Sequence, residues 1–125
     1  MTKHKVLVVD DDPDVLDTLH ELVFAWGYIP VPASGPENGI RIFNENPEIR
    51  LVVSDHGMTP MTGIGMIAVL KKTGRRFEAL LFSAGDTTLL IPAAAALGIR
   101  KVVSKPDFQW LREELAAAVI ALEMP

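Results

Sequence analysis

The 125-residue sequence contains no cysteine and no long apolar run. The lack of cysteine excludes disulfide bonds and thiolate chemistry. Its apolar stretches are interrupted by proline or charge before they reach the roughly 20 residues that a membrane-spanning helix needs. The polar start MTKHK lacks the apolar region of a secretory signal. We therefore expect a cytoplasmic protein that makes no use of a membrane.

Basic charge is also scarce, with 12 lysines and arginines against 16 aspartates and glutamates. This balance offers no basic surface for DNA, so small molecules or proteins are the expected partners. The length fits one domain, which we place at residues 1–125. Because the last helical pattern reaches almost to the end of the sequence, we expect no output domain within it.

Short apolar runs alternate with segments of helical period along the whole chain. The runs predict five strands, at residues 5–9, 28–32, 49–54, 78–83 and 100–104, and the remaining segments predict five helices. Consecutive apolar residues are typical of parallel strands that are covered by helices on both faces. The sequence thus predicts an α/β fold with a doubly wound parallel sheet. Its second strand, which contains two prolines, is expected at an edge.

Capping residues and breakers indicate where the helices begin and end. Asp12 and Pro13 have the pattern of an N-cap followed by proline at the first helical position. Ser34 has the spacing of a capping box for the second helix. In the fourth helix, expected at residues 87–97, Pro92 would remove a hydrogen bond at a cost of roughly 3 kcal/mol. We expect that helix to be short, kinked or partly unwound.

Four of the predicted strands lead into a polar side chain. Asp10 and Asp11 follow the first strand, Asp55 follows the third, Ser83 ends the fourth and Lys105 follows the fifth. The carboxyl ends of parallel strands meet at one edge of a sheet, so these side chains should lie close together. Three crowded carboxylates would raise one another's pKa unless a cation lay among them. Oxygen ligands without histidine or cysteine favour Mg²⁺, or Mn²⁺, at this edge.

Four motifs, in this order, resemble the receiver domain of two-component response regulators. They are the acidic pair after VLVV, the aspartate that ends LVVSD, the FSA segment after the fourth strand and the SKP segment after the fifth. The resemblance covers nearly the whole chain and includes Met58, Met61 and Gly63. It implies a flavodoxin-like sheet with strand order 2-1-3-4-5.

The resemblance also implies a role for each residue at this edge. The residues that would hold Mg²⁺ are Asp10 through water, Asp11, Asp55 and the carbonyl of Gly57. Asp55 would accept a phosphoryl group from a sensor histidine kinase or phosphotransfer protein, and Lys105 and Ser83 would contact its oxygens. Such a protein is not an enzyme in the usual sense, because it catalyses only its own phosphoryl transfer and slow autodephosphorylation. We expect it to signal through altered binding of a downstream protein.

The chain departs from the family pattern at two positions near this edge. Thr59 occupies the usual place of a proline, and Pro60 follows it, so the loop after Asp55 is expected to differ in shape. Val102 replaces the aromatic residue expected three positions before Lys105, so a rotating ring cannot report phosphorylation and another element must do so.

The segment LLIPAAAAL makes the surface around the predicted fourth helix unusually apolar. In the receiver family, the face formed by the fourth helix, the fifth strand and the fifth helix often mediates output or dimerisation. We therefore expect a homodimer to form through this face.

Two other functions are compatible with the sequence. Val102 and Thr59 favour a receiver-like interaction domain that is not phosphorylated, although the complete set of site residues disfavours it. The DDD run also fits the nucleophile motif of haloacid-dehalogenase-type phosphatases, with Asp10 and Asp12 as its two aspartates. That family requires a cap domain and further acidic motifs late in the chain, where few acidic residues remain.

Overall fold

The computed structural model describes residues 3–125. Five strands of this part of the chain form one sheet, in which all neighbouring strands are parallel. The strands are β1 Lys5–Val9, β2 Ile29–Ala33, β3 Leu51–Ser54, β4 Glu78–Ser83 and β5 Lys101–Ser104. Their order, β2-β1-β3-β4-β5, confirms the predicted fold and the edge position of β2. Met1 and Thr2, the first residues of the polar start, lie outside the described residues.

Helices connect the strands and cover both faces of the sheet. They are α1 Pro13–Ala25, α2 Pro36–Glu45, α3 Gly63–Lys71, a 3₁₀ helix η1 Thr87–Leu90, α4 Ile91–Ala96 and α5 Phe108–Glu123. In residues 3–125, none of these helices combines the length and the apolar character that crossing a membrane would require.

Two hydrophobic layers hold the helices to the sheet. Val6 and Val8 of β1 belong to the layer that α1 and α5 cover, whereas Leu7 and Val9 belong to the layer under α2, α3 and α4. All four side chains are fully buried. Alternate residues of a strand point to opposite faces, so a continuously apolar strand is what a sheet covered on both sides requires.

The start of α1 agrees with the prediction, but the start of α2 does not. Asp12 is the N-cap of α1 and its carboxylate accepts a hydrogen bond from the Asp14 N–H. The N-cap of α2 is Gly35, with φ of 116°, and no side chain caps this helix. The predicted capping box at Ser34 is therefore wrong. A positive φ favours glycine, and the Ser34 hydroxyl, one residue too early, accepts from the Asn38 amide instead.

The fourth helical segment is broken, as expected from Pro92. Residues Thr87–Leu90 form the 3₁₀ helix η1, and the α-helix that follows, α4, has only six residues. Pro92 lies in the first turn of α4, where its missing N–H leaves no hydrogen bond unmade. A continuous helix over residues 87–97 is thus replaced by two short pieces.

Candidate functional site

The backbone at the carboxyl edge of the sheet continues the strand pairing just beyond the strands. The Asp55 N–H donates to the Val9 carbonyl at 2.9 Å, and the Lys105 N–H donates to the Ser83 carbonyl at 2.9 Å. These bonds fix the residue after β3 beside the end of β1 and the residue after β5 beside the end of β4. The predicted convergence of the polar residues at one edge is therefore present.

Three carboxylates meet at this edge. One oxygen from each of Asp10, Asp11 and Asp55 can be chosen so that all three atoms lie within 4.8 Å of one another. Their surroundings differ, because Asp10 is 1% exposed, Asp55 is half-buried and Asp11 is open to solvent. A set of hard oxygen donors, partly open to water, suits a Mg²⁺ or Mn²⁺ ion that keeps several water ligands.

Lys105 places its ammonium between two of these carboxylates. Its Nζ lies 2.9 Å from Oδ2 of Asp10 and 3.4 Å from Oδ1 of Asp55. Burial opposes the charge on Lys105, but the hydrogen bond and the charge of Asp10, followed by those of Asp55, outweigh it and raise the pKa of this lysine. Lys105 therefore stays charged and neutralises part of the acidic cluster.

Asp10 has the least exposed of the three carboxylates. Burial raises its pKa, although the Asp12 N–H and the Lys105 ammonium, which both donate to it, act in the opposite direction. The charge on Asp55 raises the pKa of Asp10 further. The folded protein thus favours added positive charge near Asp10, as a metal-binding carboxylate would.

Ser83 and Gly57 lie at the same edge of the sheet, outside the group of three carboxylates and Lys105. Ser83 is 5% exposed, and its hydroxyl makes a long contact of 3.5 Å to the carbonyl of Ala84. Gly57 is exposed, two residues beyond Asp55 in the loop that leads to α3. The roles of Ser83 as a phosphoryl contact and of Gly57 as a carbonyl ligand remain predictions.

The loop after Asp55 is held by residues for which the sequence indicated no such role. The His56 N–H donates to Oδ1 of Asp55 at 2.8 Å, and its ring Nδ1 accepts from the Ile64 N–H at 3.4 Å. Gly63 begins α3 so close to Asp55 that a Cβ atom would overlap the Asp55 carbonyl oxygen. A glycine at the start of a helix was the one signal of this close approach.

Comparison with known proteins places the chain among signalling domains. A family model described as a response regulator receiver domain matches residues 6–119. A probable chemotaxis protein CheY of Rhizobium etli is 31% identical over 123 residues, which cover 96% of this chain and 92% of that protein. The two-component response regulator PprB of Pseudomonas aeruginosa is 33% identical over 104 residues, which cover 81% of this chain but only 38% of that protein.

A solved structure has the same fold. Response regulator protein TrrA of Thermotoga maritima, determined in complex with Mg²⁺ and BeF, superposes with a TM-score of 0.82. The alignment covers 92% of this chain and 98% of that one, at 23% sequence identity. At this low sequence identity, the superposition shows a shared fold.

Replacing Gly63 by alanine should disturb the loop that carries Asp55. The added Cβ would meet backbone atoms of Asp55 and His56, which cannot rotate away. We expect a loss of about 1–3 kcal/mol in unfolding free energy, measured by urea denaturation. In the matched variant Gly57→Ala the Cβ would meet no atom within 4 Å, and stability should change by less than about 0.5 kcal/mol. Equal losses in the two variants would contradict this account.

Replacing Lys105 by methionine should destabilise the metal-free protein in a pH-dependent way. In EDTA at pH 7.5 we expect the unfolding free energy to fall by about 2 kcal/mol. This is less than the loss expected for a fully buried ion pair, because the Lys105 side chain is 17% exposed. A raised carboxyl pKa means that the folded state binds protons more readily than the unfolded state, so stability increases as the pH falls. Since the pKa of Asp10 is raised already and would rise further without Lys105, the loss should shrink toward pH 5.

The double variant Lys105→Met, Asp10→Asn provides the control for this titration. It removes the carboxyl group to which the pH dependence is assigned, while the asparagine oxygen can still accept from the Asp12 N–H. Urea denaturation measures the difference in unfolding free energy between this double variant and Asp10→Asn. Between pH 5 and pH 8 that difference should vary much less than the difference between Lys105→Met and the wild-type protein. An undiminished pH dependence would assign the effect to another group.

Proposed function

Because this chain belongs to the response regulator receiver domain family, we propose that it accepts a phosphoryl group on Asp55 in a Mg²⁺-dependent reaction. The donor is the phosphohistidine of a sensor histidine kinase or phosphotransfer protein, and the product signals in the cytoplasm through altered binding of a downstream protein. Receiver domains of two-component systems are signalling modules that interact with such kinases and with downstream targets.

One observation carries the proposal: the ends of three strands bring three carboxylates and an ammonium to one point. Asp55 is half-buried beside Asp10 and Asp11, and Lys105 lies 3.4 Å from its carboxylate. Phosphoryl transfer requires positioning and neutralisation of charge more than covalent assistance. This arrangement supplies both.

The proposed step is a displacement at phosphorus. A carboxylate oxygen of Asp55 forms a bond to phosphorus while the bond between phosphorus and the donor's imidazole nitrogen breaks, and the imidazole leaves with its electron pair and takes up a proton. The product is an aspartyl phosphate. Lys105, already within reach of Asp55, can turn from Asp10 toward the new phosphoryl oxygens.

Receiver domains bind Mg²⁺ at an acidic pocket, and the donor set of this chain fits that ion. Asp11 and Asp55 would hold it directly, Asp10 through water, with a further ligand from the Gly57 carbonyl. When bound, Mg²⁺ would supply positive charge to the oxygens of the phosphoryl group. The raised pKa of Asp10, caused first by its burial, supports a cation at this place.

Neither alternative function explains the geometry as well. In a haloacid-dehalogenase-type site Asp10 would be the nucleophile, but it is almost fully buried and paired with Lys105, and Asp12 is occupied as the N-cap of α1. An interaction domain without phosphorylation would leave the cluster of carboxylates around Lys105 unexplained.

We further propose that phosphorylation promotes a homodimer through the face formed by η1, α4, β5 and α5. Leu89 is 79% exposed and Ile91 is 51% exposed. Beside them lies a groove of about 330 Å³, lined by Ile91, Val102, Trp110 and neighbouring residues. A projecting side chain and a groove on one face allow two copies to pack about a twofold axis.

Phosphorylation should be detectable with a small acyl phosphate. With Mg²⁺ and acetyl phosphate, we expect the wild-type protein to gain the mass of one phosphoryl group, and the adduct should be cleaved by hydroxylamine, as acyl phosphates are. The Asp55→Asn variant should show no adduct, because an amide is not a nucleophile. Intact-mass spectrometry measures both, and EDTA should abolish the reaction.

The matched control for this assay is Asp14→Asn, which removes an exposed carboxylate in the first turn of α1. Its phosphorylation should equal that of the wild-type protein. An adduct that persists in Asp55→Asn but disappears in Asp10→Asn would favour the phosphatase mechanism. Complete inertness of the wild-type protein in the presence of Mg²⁺ would favour the interaction domain.

The dimer should be sensitive to charge on the apolar face. With Mg²⁺ and beryllofluoride, which mimics the phosphoryl group, we expect sedimentation velocity to show dimers of the wild-type protein and monomers of Leu89→Glu. Phe24→Glu, a substitution at a residue that is 65% exposed on α1, should leave the dimer intact. A monomeric wild-type protein at all concentrations would contradict the dimer but not the phosphorylation.

A further inference from the structure

A pair of hydroxyl groups links the candidate site to the 3₁₀ helix η1. Ser83, at the end of β4, pairs in the sheet with Ser104 of β5. The Ser104 hydroxyl lies 3.1 Å from the hydroxyl of Thr87, the first residue of η1. Thr87 is 9% exposed and Ser104 is half-buried, so this contact is partly shielded from water, and it tethers the start of η1 to β5.

The tether lies on the same face of β5 as Val102. Residues two apart on a strand share a face, so Ser104 and Val102 both face the layer that α4 covers. Val102 stands where an aromatic residue is expected in the family, and the groove that it lines reaches Ile91 and Trp110. Because position 102 has no aromatic ring, no ring can rotate inward there when Asp55 is phosphorylated.

We propose that the Thr87–Ser104 hydrogen bond transmits the state of Asp55 to the segment of η1 and α4. This inference rests on the proposed function, since it concerns the regulation of the same site. In the unmodified protein the bond holds η1 against β5. When the Ser83 hydroxyl turns to a phosphoryl oxygen, the chain that follows is displaced and the bond opens.

The chain between the two hydroxyls is short enough for such a displacement to reach Thr87. Only residues 84–86 separate Ser83 from Thr87, and all three are exposed. Ser104, in contrast, is fixed by its place in β5. A movement of this loop therefore changes the distance between Thr87 and Ser104, and opening the bond frees the segment that carries Leu89 and Ile91.

Hydrogen exchange tests the inference in the full chain, with the double variant Trp26→Phe, Leu89→Glu as the parent. Trp110 then reports on the groove, and no dimer interface covers residues 87–91. We expect beryllofluoride and Mg²⁺ to speed amide exchange in residues 87–91 of the parent and to shift its Trp110 emission. Thr87→Val keeps the shape of the side chain but removes the hydroxyl. Without beryllofluoride, the amides of residues 87–91 in Thr87→Val should already exchange roughly fivefold faster than in the parent, which corresponds to one lost hydrogen bond.

Two more variants show that the effect belongs to this bond. Ser104→Ala removes the other hydroxyl and should reproduce the behaviour of Thr87→Val, with little further response to beryllofluoride. Thr88→Val is the matched control, because its hydroxyl is exposed and bonds to Asp86 instead. It should respond to beryllofluoride as the parent does.

The results separate this inference from the proposed function. Uptake of beryllofluoride with equal exchange and emission responses in the parent, Thr87→Val and Ser104→Ala would overturn the inference alone. Failure of the parent to take up beryllofluoride would overturn the proposed function, and the inference with it. Uptake with a response missing only in the two hydroxyl variants would support both.

Discussion

The balance between three carboxylates and one ammonium governs the chemistry at the carboxyl edge of the sheet. Asp10 is the most deeply buried of the acids, and its pKa is raised because burial outweighs the groups that donate to it. Lys105 bridges Asp10 and Asp55, and its own raised pKa keeps it charged. The cluster is only partly neutralised in this state, which is why it suits a divalent cation. It is also why a phosphoryl group on Asp55 would compete with Asp10 for Lys105.

The sheet makes this concentration of charge possible. The strands β1, β3 and β4 are buried on both faces, so their interiors accept only apolar side chains and their polar residues are found where the strands end. Parallel pairing then brings those ends together, and backbone bonds at Asp55 and Lys105 extend the pairing by one residue. The apolar layers thus hold the strand ends in place, although the three carboxylates there repel one another.

The strands, the helices and the polar residues at the strand ends could be predicted from the sequence because each depends on local patterns, whereas the strand order came from the resemblance to receiver domains. A strand that ends in a charged residue shows both the strand and the place of the charge, as Asp55 and Lys105 illustrate. The contacts that were missed join distant segments. Gly63 approaches the Asp55 carbonyl across a loop. Arg75 donates to the Asn46 and Ile49 carbonyls at 3.0 and 2.8 Å. No spacing in the sequence encodes such partners, since they depend on how loops fold over the sheet.

Pro92 and the small side chain of Val102 act on one segment, and together they would allow it to respond without an aromatic switch. Pro92 limits α4 to six residues, far fewer than the roughly 12 that an isolated helix needs for even marginal stability. The segment from Thr87 to Ala96 therefore depends on tertiary contacts, of which the Thr87–Ser104 bond and the burial of Ala94 are two. The loss of one hydrogen bond, about 1 kcal/mol, would change the ratio of two conformations of such a segment about fivefold. A bulky ring would then be unnecessary, and Val102 instead lines the groove at this face.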